Sequence, residues 1–196
     1  MPTIRPETPD DAEAIARVHV RAWQGGYAGL IPAEVLSRLN PAAWAQRRRE
    51  MGTADPEQPF TTLVVTDDAG IAGFVTFGPY RVDQNRDDLD ERYGEIVSMY
   101  VDPGAWGRGL GTALMGAACT ALTARGWSEL RLWVLAGNVR ARRFYERAGL
   151  AVDGEQSTYE VRWTSEATPV GLPELRYCGS LDRIGSASSS AMLIQM

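Results

Sequence analysis

VDPGAWGRGLGTALM, residues 101–115, sets four glycines, Gly104, Gly107, Gly109 and Gly111, immediately ahead of an alanine-rich amphipathic run. The preceding EIVSMYVDP reads as a strand ended by Pro103, so the segment runs strand, glycine loop, helix. A helix N-terminus exposes unpaired backbone N–H groups and the positive end of the helix dipole. Glycines there allow tight turns and remove side chains that would keep a ligand off the backbone. The pattern therefore suits a phosphate, or else a glycine-rich turn without a ligand. Two phosphate loops are excluded. A Walker A loop needs GxxxxGK[ST], and the chain has no lysine, all 20 of its basic residues being arginine. A dinucleotide GxGxxG fails because its third glycine falls on Thr112 or on Leu114.

Working outward from the loop, the chain reads as alternating short strands and helices. TIRPE opens as a strand, and Asp10 or Asp11 caps a helix running to about Gln24 with Ile15, His19 and Trp23 near one face. Gly25-Gly26 breaks it, and helices follow near Val35–Leu39 and over 41–51. TTLVVTDDAGIAGFVTFG is a hairpin turning at Asp68-Ala69-Gly70. A polar stretch, RVDQNRDDLDERYGE, precedes the strand that opens at Glu95. After the glycine loop come a helix over about 109–125, the strand ELRLWVL, and a helix capped by Asn138 and stopped by Gly149. Two more strands are expected near 150–162 and 170–178. The serine-rich end fits no core pattern and is expected to be loosely held, which puts the domain at 1–179 and a tail at 180–196.

Composition narrows the chemistry. The 196 residues suffice for one domain with one core. No apolar run approaches the roughly 20 residues of a membrane span, and the polar, acidic start does not read as a signal peptide. The net charge of −5, with no basic block, argues against a nucleic-acid partner. Cys119 and Cys178 read as free thiols of a cytoplasmic protein. With His19 as the single histidine, a His-rich metal site and most histidine relays fall away, and the expectation is no metal. His19 itself reads as a packing residue of the first helix.

Two segments together resemble the GNAT superfamily of acetyl-CoA-dependent N-acetyltransferases. EIVSMYVDPGAWGRGLGTAL is similar to that family's strand and [QR]-x-x-G-x-[GA] loop, and LWVLAGNVRARRFYERAGL to its next strand and N-x-x-A-x-x-[FL]-Y-x-x-x-G-[FL] helix. The opening IRPETPDDAEAIARVHVRAW resembles the family's first strand and helix. The resemblance, over residues 3 to about 178, implies an α/β (α+β type) fold. Its mixed, mostly antiparallel sheet has six to seven strands flanked by helices, and is splayed at the central cofactor-binding strand. It implies acetyl-CoA as co-substrate, with Met99, Tyr100 and Val101 along pantetheine, Arg108, Gly109, Gly111 and Thr112 at the pyrophosphate, and Asn138 as a further contact. Trp106 stands where the family carries Gln or Arg, which leaves more of the pyrophosphate to backbone donors and Arg108.

The implied reaction is direct attack of a primary amine, on a small molecule or peptide, on the acetyl thioester. An alkyl ammonium of pKa near 10.4 is only about one part in 2,500 neutral at pH 7, so deprotonation costs roughly 4.6 kcal/mol unless the site helps. Glu95 is the candidate base, at the head of a strand whose alternation puts residues 95, 97, 99 and 101 on one face. Tyr145 is the candidate acid; from a pKa near 10, donation to a thiolate near 8.5 is uphill by about 2 kcal/mol. Trp23, Tyr27 and Tyr80 are expected on the acceptor side. Asp83, Asp87, Asp88, Asp90 and Glu91 form either an acidic rim for a cationic amine or a solvated loop. The rival reading is a catalytically silent acyl-CoA sensor, and a homodimer is left open.

Overall fold

A computed structural model describes residues 2–54, 58–161 and 170–184. Seven strands form one sheet: β1 (Thr3–Pro6), β2 (Thr61–Asp67), β3 (Gly70–Arg81), β4 (Leu89–Val101), β5 (Glu129–Leu135), β6 (Ala151–Val161) and β7 (Val170–Ser180), in the order β1-β2-β3-β4-β5-β7-β6. Among the described residues five helices of five residues or more accompany them: α1 (Ala12–Gly26), α2 (Ala33–Ser37), α3 (Pro41–Ala54), α4 (Leu110–Ala124) and α5 (Val139–Arg147). Every strand pair is antiparallel except β4–β5. The expected mixed, mostly antiparallel sheet is therefore present, with seven strands.

The parallel junction is short. Only Gly94↔Leu130 and Glu95↔Arg131 pair there, whereas β5 pairs with β7 along its whole length, from Glu129↔Ser180 to Leu135↔Glu174. Past Glu95 the sheet splays, and β4 keeps a ladder partner only on its β3 side. The splay expected at the central strand is thus located at residues 96–101.

Each face of the sheet is covered. Leu114, Met115, Ala118, Cys119 and Leu122 of α4 pack with Val75, Phe77, Ile96, Leu130, Leu132 and Val134 in the main core, which Tyr145 of α5 joins. On the other face Ile15 and Val18 of α1 pack against Val64 and Phe74. Burial of such apolar side chains supplies the driving force for the fold, about 1.5–3 kcal/mol per large side chain.

β4 departs from the expected alternation. Phe77 pairs with Ile96 and Thr76 with Ser98, so Val97 is the extra residue of a β-bulge. The bulge reverses the faces on its two sides. Ile96, Met99 and Val101 pack with the α4 core, while Tyr100 packs with the α1 side. Glu95 consequently shares a face with Ser98 and Tyr100, not with Met99 and Val101. The strand also begins earlier than expected, at Leu89, and takes in part of the polar stretch.

The chain end needs a second correction. Leu181 (2% exposed) and Ile184 (0%) are buried in the main core, so the loosely held tail does not start at residue 180. The rest of that segment, 185–196, lies outside the described residues. Cys119 and Cys178 are unbridged, and burial pushes the Cys119 thiol up to about 12.

Candidate active site

A cleft of about 1980 Å³ opens where β4 and β5 part. Its wall runs from the glycine loop, past β4 and α5, to α1, α3 and β7. At the loop end, Gly107 (φ 78°) and Gly109 (φ 77°) hold left-handed backbone that other residues adopt only with strain. Gly109 is the N-cap of α4 and brings no side chain to it; the first bond back into the helix is from the Ala113 N–H to the Gly109 carbonyl. The N–H groups of Leu110, Gly111 and Thr112 therefore precede the helical ladder and face the cleft end.

Along β4 the backbone orientation follows from one bond. The Asp102 N–H donates to the Ala72 carbonyl of β3 at 2.8 Å. Backbone groups alternate sides along a strand, so Tyr100 also turns toward β3, while Met99 and Val101 turn to the open side. The Val101 carbonyl already accepts the Trp106 indole N–H at 2.9 Å. Met99 is left with a donor and an acceptor for an added strand-like partner, and Val101 with a donor. Tyr100, grouped with them on sequence, contributes a ring to the cleft wall rather than a backbone edge.

Two arginines exchange importance at the loop. The Arg108 guanidinium pairs with Asp67 at 2.7 Å, out on the hairpin, and its side chain does not line the cleft. Arg140, at the start of α5, does line it, with its guanidinium 3.7 Å from the centroid of the Trp106 ring. Among the described residues no carboxylate pairs with Arg140. Sequence reasoning missed it because the cation comes from a different helix. Asn138 caps α5 through its side-chain oxygen, which accepts the Ala141 N–H at 3.1 Å, and its amide also lines the cleft.

Tyr145 lines the cleft from α5, 8% exposed and edge-on to Phe144. Burial holds its hydroxyl well above the ordinary tyrosine range, with a smaller push from Tyr100. The cost of giving up its proton exceeds the roughly 2 kcal/mol expected from an unperturbed phenol. The geometry favours donating a hydrogen bond over surrendering the proton.

The opposite side of the cleft is aromatic. Trp23, Tyr27, Trp44, Tyr100 and Tyr159 cluster there, with the Tyr27 and Tyr100 hydroxyls 3.4 Å apart. His19 stacks 4.0 Å from Trp44 and 4.4 Å from Tyr100. Burial pushes its imidazole down to about 3, so it is neutral at physiological pH and serves as packing. Tyr80 is elsewhere: it is buried beside Arg131, its hydroxyl accepts from Arg176 at 3.1 Å, and it does not line the cleft.

The acidic stretch is reversed in its contribution. Asp83, Asp87, Asp88, Asp90 and Glu91 do not line the cleft, while Arg81, Gln84 and Arg86 from the same stretch do, together with Arg47 and Arg48 of α3. Arg48 is paired with Glu7. Arg86 titrates below its ordinary value because it is partly desolvated and repelled by Arg81, against the pull of Glu95, with Arg47 and Arg48 adding to the repulsion. With Arg48 taken up by Glu7 and Arg81 by Glu95, Arg47 and Arg86 are left without a carboxylate partner among the described residues.

Glu95 is 1% exposed, and Arg81 encloses it. The Arg81 backbone N–H and Nε donate to Oε2 at 2.9 Å each, and Nη2 donates to Oε1 at 2.8 Å. A second buried carboxyl, Glu174 of β7, lines the same cleft, 7% exposed. No sequence pattern marked it, because β7 carries no motif of its own. Among the described residues no group of three or more His, Cys, Asp or Glu is placed to hold a metal, and no helix is long and apolar enough to cross a membrane.

A splayed parallel junction beside a glycine-rich helix start is the architecture of an acyl-CoA-dependent N-acyltransferase. The model of the acetyltransferase (GNAT) family matches residues 26–150, and the chain belongs to that family. It is 29% identical over 139 residues to the uncharacterized N-acetyltransferase YuaI of Bacillus subtilis, a match spanning 70% of this chain and 74% of that protein. A mycothiol acetyltransferase of Mycobacterium avium is 32% identical over 178 residues, 79% of this chain but only 53% of that longer protein. The fold matches that of the PaiA N-acetyltransferase of Thermoplasma acidophilum, solved in complex with coenzyme A. The TM-score is 0.69 at 18% identity, covering 92% of this chain and 99% of that one.

Proposed function

We propose that the protein transfers the acetyl group of acetyl-CoA to a primary amine by direct attack. The observation that carries this reading is the unpaired Met99–Val101 edge of β4 leading straight to the side-chain-free start of α4. Those features fit the two parts of coenzyme A. Pantetheine, an extended diamide, would be held as an added strand on Met99 and Val101. The pyrophosphate would meet the N–H groups of Leu110, Gly111 and Thr112, with Arg140 supplying the cation that Trp106 displaces from the loop. The acetyl thioester supplies an activated carbonyl.

In this reading Tyr145 steadies the departing sulfur by a hydrogen bond. Glu95, with both oxygens engaged by Arg81, acts as the buried anion that fixes the acceptor wall. Arg47 and Arg86, which line the cleft without a carboxylate partner among the described residues, support an acceptor that carries a carboxylate or another anionic group besides its amine. The test is incubation with acetyl-CoA and matched amines with and without a carboxylate, read by mass spectrometry. A mass gain of one acetyl group, stronger for the carboxylate-bearing member of each pair, is expected. Absence of any acetylated product, with no acetyl-CoA binding by calorimetry, would overturn the assignment.

A further inference from the structure

We infer that Glu174, on β7, is the general base that takes the proton from the acceptor amine. The inference rests on the transfer reaction proposed above. Glu95 and Glu174 are the two carboxyl groups under a tenth exposed that line the cleft, and their surroundings differ in kind. Glu95 meets three N–H donors of one arginine, which occupy both of its oxygens. Glu174 receives a single hydrogen bond from a neutral amide, Gln84 Nε2 to Oε2 at 2.7 Å. Among the described residues no cation pairs with it, and its Oε1 accepts no hydrogen bond.

The placement suits the role. Glu174 pairs with Leu135 at the far end of β5, on the arm of the sheet that swings away from β4. Its neighbours in β7, Leu175 and Tyr177, pack with the α4 and α5 core. Alternation therefore puts Glu174 on the opposite face, toward the aromatic acceptor wall. Tyr145 reaches the cleft from the α5 side. Base and sulfur partner thus approach the gap between β4 and β5 from opposite faces, which leaves the amine and the departing sulfur each with its own proton partner. The bond from Gln84 is built at a cost, since Asp83 (φ 49°) and Gln84 (φ 58°) both hold left-handed backbone.

The groups around Glu174 are Arg81 of β3, Glu95 and Tyr100 of β4, Ser157 and Tyr159 of β6, and Arg176 of its own strand, which is held by Asp153. Burial raises the Glu174 carboxyl above its ordinary range, the Gln84 bond and Arg81 pull it down, and Glu95 pushes it up again. A carboxylate so raised is a stronger base than an exposed one.

The step balances as follows. The Glu174 carboxylate removes one proton from the ammonium. The nitrogen lone pair forms the C–N bond to the thioester carbonyl carbon. The C–S bond breaks with its electron pair going to sulfur, which accepts the Tyr145 hydrogen bond and is then protonated by water. The remaining surplus N–H proton leaves to water, and Glu174 returns its own proton to solvent.

The test is kcat/KM against pH for wild type and Glu174→Gln, with coenzyme A affinity measured by calorimetry. Wild type is expected to show an acidic limb that the variant lacks. The variant should lose at least about 100-fold in kcat, with coenzyme A affinity within about twofold. Hydroxylamine, neutral at about pH 7.5, needs no base, and with it the defect should shrink at least about tenfold. A variant keeping more than a tenth of wild-type kcat/KM where chemistry limits turnover, or losing equally toward both acceptors, overturns the inference. Should Glu174→Gln not fold, Gln84→Ala in the adjoining loop is expected to shift the acidic limb, and an unmoved limb overturns it. A wild-type protein that binds no acetyl-CoA and acetylates nothing refutes the parent reaction and this step together; an active wild type with an unaffected variant refutes this step alone.

Discussion

Removing the Arg81 guanidinium while keeping its stem, as Arg81→Met, should destabilise the fold sharply. The pair it forms with Glu95 is almost wholly inside the protein, the side chains being 12% and 1% exposed. Without the guanidinium, Glu95 loses two of its three donors and keeps the Arg81 backbone N–H. A buried charge stranded in this way costs about 3–5 kcal/mol. At about 2.1 cal/mol/K per residue, unfolding entropy for 196 residues is about 0.4 kcal/mol/K, so Tm should fall by about 7–12 °C.

The double variant Arg81→Met/Glu95→Gln separates charge from packing. The amide oxygen that Glu95→Gln introduces still accepts the backbone N–H but carries no charge, so at least half of the lost stability should return. Urea unfolding at pH 7 with a constant m-value measures both. A single variant that loses under about 1 kcal/mol, or a double variant as unstable as the single, would show that Glu95 is not held as a buried anion. The division of labour between Glu95 and Glu174 would then fall.

Four further outcomes are expected. Tyr145→Phe removes only the hydroxyl; kcat should fall by roughly 10²-fold with acetyl-CoA affinity nearly intact, and steady-state kinetics showing wild-type kcat with chemistry limiting would remove Tyr145 from the mechanism. Arg140→Ala should weaken coenzyme A binding by about tenfold and Arg108→Ala by much less, since Arg108 is committed to Asp67; calorimetry giving the reverse order would refute the placement. Ile184→Ala, at a position 0% exposed, should cost about 2–5 kcal/mol in urea unfolding, whereas a loss under about 1 kcal/mol would mean the chain end is not part of the core. Asp11 is held well below the usual carboxylate range, first by the Arg5 side chain and then, against the cost of burial, by Thr8. The stability it adds is present above the unfolded value near 3.9 and lost as pH falls toward the folded value. The Tm gap between wild type and Asp11→Asn should be full at about pH 6, begin to narrow below about pH 4 and go on narrowing as pH falls toward the folded value, and a gap unchanged between about pH 6 and about pH 2 would contradict this.

The sequence made some features legible because their chemistry is local. The strand, glycine loop and helix of 101–115 can be read residue by residue, and so can the Asn138 cap and the 68–70 hairpin. What escaped depends on register or on distant pairing. Strand alternation cannot announce a bulge, so Val97 reversed the face assigned to Glu95. The polar stretch 81–91 reads as acidic by count, yet Arg81 and Gln84 turn inward because Glu95 and Glu174 await them across the sheet. Leu181 and Ile184 make a single helical turn, too short for periodicity to mark, although both close the core. Arg140 meets the Trp106 ring across space, which no spacing rule along the chain would find.

The position of the splay explains why the two sides of the cleft can differ so completely. β4 and β5 touch at two residue pairs, and one of those pairs uses Gly94. A Cβ at Gly94 would come within 2.9 Å of the Leu122 side chain, so α4 packs directly on the junction and a larger residue there would oblige Leu122 to shift. α4 thus packs on the strands from one face just where pairing stops, and its own N-terminus lies at the other end of the same helix, beside the glycine loop. One rigid helix therefore fixes both the phosphate end and the point where the sheet opens. Under the proposed reaction the cofactor side inherits α4, α5 and Tyr145, and the acceptor side inherits α1, α3, Arg47, Arg86 and Glu174. Changing acceptor preference then requires changes only on the second set. Variants such as Arg47→Ala or Arg86→Ala should alter which amine is used while leaving coenzyme A binding unchanged.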